Sequence, residues 1–170
     1  MKKIQIRGGV FETNSSSTHS VTIGTDLEFF KDNTLLPDEF GVLTLEGGEF
    51  GWEWEKYNDA ITKANYLAAG LMYSSNTEGA LEKLTEVLQY QTGCDSVSIL
   101  AQDDYDKPGY SYIDHDSTDV ATSILSKSKE EISNFIFNRN SWLFTGNDNG
   151  HPVPDFFDVP VFANGREIKP

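Results

Sequence analysis

The chain has 170 residues, with 13 Lys and Arg against 27 Asp and Glu and a formal net charge of −14. That length fits one domain of roughly 100–200 residues, and 38% hydrophobic with 12% aromatic residues is too apolar for a disordered chain. The acidic balance excludes a generic nucleic-acid binder and docking on an anionic membrane, since both need Lys and Arg in number; the single Cys, Cys94, excludes an internal disulfide and a zinc site built mainly from Cys.

Along the chain, Lys3-Ile4-Gln5-Ile6-Arg7 alternates with period two and predicts a strand, broken by Gly8-Gly9. Its basic start has no apolar run behind it, so no signal peptide is expected. No stretch approaches the roughly 18 apolar residues of a membrane span. With a free Cys, this points to the cytoplasm. A polar run over residues 13–20 leads into Val21-Thr22-Ile23, a second strand. Residues 26–40 read as an acidic loop, and Val42-Leu43-Thr44-Leu45 as a short strand. Glycines 47, 48 and 51 predict turns ahead of Trp52 and Trp54.

Tyr57, Ala60, Ile61, Ala64, Leu67, Ala68, Leu71 and Met72 recur at helical spacing. Ser75-Asn76-Thr77-Glu78 reads as a capping box for a second helix with Leu81, Leu84, Val87 and Leu88 on its face and Gly93 as C-cap. Together they predict a helical hairpin. Strands follow at Val97-Ser98-Ile99-Leu100 and Tyr110-Ser111-Tyr112-Ile113. Two short helices come next, one capped by Ser117 and one opened by the box Ser128-Lys129-Glu130-Glu131. Trp142-Leu143-Phe144-Thr145 and the segments flanking Asn164-Gly165, a strong two-residue hairpin signal, complete the strands. This order lacks a regular βαβ alternation. It predicts a single α+β domain over residues 1–170, with a mainly antiparallel sheet, a helical hairpin and two further short helices.

The charge is concentrated. Residues 26–59 hold ten acids against two lysines, net −8, and residues 95–120 hold seven Asp against one Lys, net −6, so these two segments account for the whole excess. A solvated acidic surface is the plain interpretation. The functional one is an acidic face for a basic protein partner, such as the nucleic-acid channel of another protein. Phe50, Trp52, Trp54 and Tyr57 end the first segment, either as core packing or as an exposed anchor. Direct nucleic-acid binding over this surface is not expected. Asp104, Asp106 and Gly109 match the first, third and sixth positions of a calcium loop, but Pro108 and His115 break the pattern at five and twelve. No metal site is assigned, no phosphate-cradle or dinucleotide motif is present, and the cofactor is left open.

The chain has three His. His19 follows Ser15, Ser16, Ser17 and Thr18; His115 lies in Asp114-His115-Asp116-Ser117. An imidazole suits proton transfer near neutrality, and consecutive backbone N–H groups in a hydroxyl-rich turn can hold an anion. The candidate site therefore has His19 and His115 as base and acid and Asp116 as orienter. Ser15, Ser16, Ser17, Ser117, Asp148 and Asn149 would bind a small anionic ligand. Competing structural roles are equally available: the Ser/Thr run as a turn, Ser117 as an N-cap, and Asp148 and Asn149 in a Gly-bounded turn.

The string Arg7-Gly8-Gly9-Val10-Phe11-Glu12-Thr13-Asn14-Ser15-Ser16-Ser17-Thr18-His19-Ser20 resembles the opening of an uncharacterised family of small bacteriophage and bacterial proteins. Shorter echoes are Tyr112-Ile113-Asp114-His115-Asp116-Ser117 and Phe144-Thr145-Gly146-Asn147-Asp148-Asn149. The resemblance implies a phage or mobile-element setting and gives weight to residues 15–19 as a ligand-facing run. Two functions remain open. The polar motifs suggest a small hydrolase or phosphotransfer enzyme acting on a phosphate-containing or nucleotide-like substrate, with His19 and His115 close together. The charge pattern suggests an acidic interaction protein that inhibits a host nucleic-acid-binding or defence enzyme, with residues 26–59 and 95–120 side by side and Trp52 or Trp54 exposed.

Overall fold

Short apolar strands bury their side chains only by pairing, and the strands of this chain pair into three sheets. The computed structural model describes residues 3–8, 19–24, 35–114, 117–146, 161–163 and 166–168. In chain order the elements are β1 (Lys3–Gly8), β2 (His19–Gly24), β3 (Val42–Leu45), β4 (Glu49–Phe50), β5 (Glu55–Tyr57), α1 (Ala60–Gly70), a 3₁₀ turn (Leu71–Tyr73), α2 (Thr77–Thr92), β6 (Ser96–Ile99), β7 (Tyr112–Ile113), α3 (Thr118–Ser126), α4 (Lys129–Phe137), β8 (Trp142–Thr145), β9 (Val161–Ala163) and β10 (Arg166–Ile168).

The largest sheet has the order β1-β2-β8-β5-β9-β10. All its pairs are antiparallel except β5 with β9. Its register aligns Val21 with Leu143 and Leu143 with Tyr57, so these three side chains share one face, and all three are buried. Ala163 pairs with Arg166, so two residues join β9 to β10, the hairpin length that Asn164-Gly165 predicts. The other two sheets are parallel pairs, β3 with β6 and β4 with β7.

Helix starts follow their side chains. Asp59 caps α1 by accepting from the Thr62 amide at 2.9 Å. Asn76 caps α2 through the Gly79 amide, one residue later than the expected Ser75. Gly93 ends α2 in the left-handed conformation, φ 72°. Ser128 and Glu131 form the expected reciprocal box on α4. Ser117 occupies the N-cap position of α3, but its hydroxyl makes no capping bond and the residue is buried. α1 packs chiefly on α3 and α2 on α4, so the two longer helices, expected as a hairpin, each have a different main partner. α4 also lies on β2. The core between these layers includes Val21, Ile23, Leu143, Leu67, Ile124, Phe135 and Ile136, all fully buried.

The described fold is thus mixed helix and strand, with a largely antiparallel main sheet. Two strands, β4 and β5, fall where only turns and a helix start were expected. Tyr57, assigned to a helix face, lies instead in the middle of the main sheet.

Candidate functional site

The two acidic segments meet backbone to backbone. Val42 to Leu45 run in register with Ser96 to Ile99, and Glu49-Phe50 with Tyr112-Ile113. Around these ladders, the Asp95 amide donates to the Gly41 carbonyl at 2.8 Å, Leu100 to Leu45 at 2.9 Å and Tyr112 to Gly48 at 3.0 Å. Leu43 and Leu45 turn inward and are buried. Most of the described acids of these segments lie outside: Asp38, Glu39, Glu46, Glu49, Glu53, Asp95, Asp103 and Asp106 are exposed, whereas Asp59 and Asp114 are buried and Glu55 and Asp104 half-buried. The cations described in these two stretches are Lys56, which lies over the Trp142 ring, and Lys107, which pairs with Asp104 at 2.7 Å. Asp104 also accepts from the Asp106 amide, so the loop once compared with a calcium site is closed by its own hydrogen bonds.

Large apolar side chains stand among these carboxylates. Phe40 is 76% exposed, Tyr105 77% and Trp52 60%. Trp52 stacks on Tyr112 with centroids 5.3 Å apart and planes 23° apart, and its indole N–H donates to Glu49 Oε2 at 3.1 Å. Trp54 differs: it is half-buried, its indole nitrogen is sealed without a partner, and a Cβ on Gly146 would lie 2.1 Å from its ring.

The end of the main sheet holds a buried polar cluster. His19, at the start of β2, is fully buried, and its Nδ1 shares a 3.1 Å hydrogen bond with the hydroxyl of Tyr66 on α1. Burial lowers the imidazole pKa to about 3 and raises that of Tyr66, so both are neutral at ordinary pH. His19 Nε2 and Thr145 Oγ1 are buried with no hydrogen-bond partner. Gly51 has φ 108°, and a Cβ there would come 2.7 Å from His19 Nε2 and 3.1 Å from Asp114 Cβ. His19, Gly51 and Asp114 therefore meet, and Ser117 joins them by donating its amide to the Asp114 carbonyl at 2.8 Å. Phe50 sits edge-on to both Tyr66 and Tyr57. The Tyr57 hydroxyl donates to Glu55. Burial raises the Glu55 pKa, against the lowering effect of that bond and with a further rise from Glu53.

A second buried ionisable group, absent from the sequence-based candidates, is Lys63 on α1. Its ammonium donates to the carbonyls of Asn138 and Ser141 at 3.1 and 3.2 Å and lies 5.8 Å from the Phe135 ring centroid. Burial lowers its pKa to about 7, partly opposed by the Asp59 carboxylate one turn earlier. The signal was present in the spacing: position 63 is three residues after Ala60 and four before Leu67, on the apolar stripe.

Of the predicted site residues, the structure places His19 and Ser117, both in the interior near Asp114. His115, Asp116, Ser15, Ser16, Ser17, Asp148 and Asn149 lie outside the described residues. His19 is fully buried, and burial lowers its pKa to about 3, which keeps the imidazole neutral near pH 7. Among the described residues, no group of three or more His, Cys, Asp or Glu is placed to hold a metal ion, and no helix is long and apolar enough to cross a membrane. No family model matches the chain, and neither curated proteins nor solved structures give a match.

Proposed function

We propose that this protein binds a basic protein partner through the acidic surface built on the β3–β6 and β4–β7 pairs. The partner class is a host nucleic-acid-binding or defence enzyme whose basic channel the surface occupies. The observation that carries this reading is the pairing itself: segments over fifty residues apart, which hold the chain's charge excess, lie strand against strand with Trp52 exposed beside them. A surface rich in carboxylates raises the rate of encounter with a positive surface and repels phosphates, while an exposed Trp supplies the apolar contact typical of an interface anchor. The phage or mobile-element setting implied by the opening motif, and a cytoplasmic location, are consistent with such an inhibitor.

The hydrolase or phosphotransfer reading draws its support from the meeting of His19, Asp114 and Ser117. It requires His19 to reach solvent, which its burial opposes.

The test is capture from a bacterial lysate at about 50 mM and about 500 mM salt, where the Debye length falls severalfold. A second arm uses Glu46→Gln, Glu49→Gln and Asp103→Asn combined. Basic proteins retained at low salt, and lost both at high salt and with the triple variant, are the expected result. Retention indifferent to both would overturn the reading.

A further inference from the structure

Exposed Trp52, stacked on half-buried Tyr112, has a more specific chemistry than charge alone, and the following rests on the interaction reading above. Tyr112 covers one face of the Trp52 indole, at 5.3 Å and 23°. The indole N–H is held by Glu49, which fixes the ring's rotation and puts a carboxylate at its edge. With one face stacked and one edge bonded, the 60% exposure of Trp52 belongs largely to its other face. Glu53, the next residue, is exposed as well. Tyr112 lies in β7, where it aligns with Glu49 of β4, and Trp52 follows β4 by two residues, so backbone hydrogen bonds hold together the two segments that carry the rings.

We infer that the Trp52–Tyr112 platform, edged by Glu49, is an anchor site for an arginine side chain of the basic partner. A guanidinium is flat, permanently charged and weakly hydrated, so it lies on an indole face while its N–H fork reaches a carboxylate. An ammonium is compact and strongly hydrated and gains less from the same surface. A nucleobase would also stack on an open indole, but its phosphate would come beside Glu49, which bonds the indole edge, and Glu53, the next residue, both exposed. Charge complementarity therefore selects an arginine-bearing polypeptide.

The experiment titrates the full chain with fluorescently labelled hepta-arginine, hepta-lysine and a single-stranded oligothymidine, following anisotropy at low salt. Hepta-arginine is expected to bind about two- to five-fold more tightly than hepta-lysine, the range of an exposed cation–π contact. Trp52→Ala is expected to erase that preference while leaving hepta-lysine binding in place; circular dichroism confirms that the variant is folded. Trp52→Phe should retain part of the preference. Equal binding of both peptides, unchanged by Trp52→Ala, would overturn the arginine site and leave the acidic-surface reading standing. Binding of neither peptide would overturn both. Binding of oligothymidine lost with Trp52→Ala would overturn the arginine site in favour of a base-stacking one.

Discussion

Lys63 places an ammonium group where its neighbours are the Phe135 ring and two backbone carbonyls. The unfolded side chain loses its proton near 10.5 and the folded one near 7. Between those values the unfolded chain binds the proton and the folded chain does not, so stability rises with pH across this window, by on the order of 1 kcal/mol per pH unit. Below pH 7 both forms are charged and the burial cost is fully present. Urea midpoints at pH 7 and pH 9.5 should therefore separate in the native chain and converge in Lys63→Met, after the shift common to both is subtracted. Gly51 makes a second residue-level case. An alanine there would take an unfavourable positive φ and press on buried His19. Gly51→Ala should cost about 1–3 kcal/mol in urea unfolding. The His19 ring should show no titration between pH 5 and 8 by NMR, because burial holds its pKa near 3.

At the level of elements, local signals and non-local ones part company. The Ser128 box opens α4 as its four residues indicate, because the bonds that form it lie within one turn. Ser128→Ala should lower stability by about 1 kcal/mol, measured by thermal or urea unfolding. Val42-Leu43-Thr44-Leu45 and Trp142-Leu143-Phe144-Thr145 were legible as strands for the same reason: their own residues alternate or are strongly apolar. Glu55-Lys56-Tyr57 was not legible, since a three-residue charged run becomes a strand only because β8 and β9 bond it from both sides. The candidate site divides in the same way. The acidic segments were readable from composition, while the tryptophans beside them could be either core packing or an exposed anchor; the stack of Trp52 on Tyr112 joins residues far apart and depends on a parallel pairing that no local pattern announces. His19 was singled out for its chemistry, yet its burial beside Tyr66, 47 residues further along the chain, is a tertiary contact that its hydroxyl-rich neighbours do not reveal.

Across the whole molecule, a net charge of −14 with its excess gathered in two segments that pair through β3–β6 and β4–β7 sets up self-repulsion that weakens as salt screens it. The thermal midpoint should rise between about 10 and 150 mM NaCl, and the Glu46→Gln, Glu49→Gln, Asp103→Asn chain should rise less, as followed by circular dichroism. The parallel ladders also have a temporal meaning. Val42 bonds against Ser96 and Glu49 against Tyr112, with two helices made in between. At synthesis rates of about 5–20 residues per second, the first acidic strand leaves the ribosome several seconds before its partner exists. The nascent chain therefore carries the first acidic segment and Trp52 without the Tyr112 ring on which Trp52 stacks. A partner of the kind proposed, if it recognised the assembled face, would discriminate finished molecules from unfinished ones.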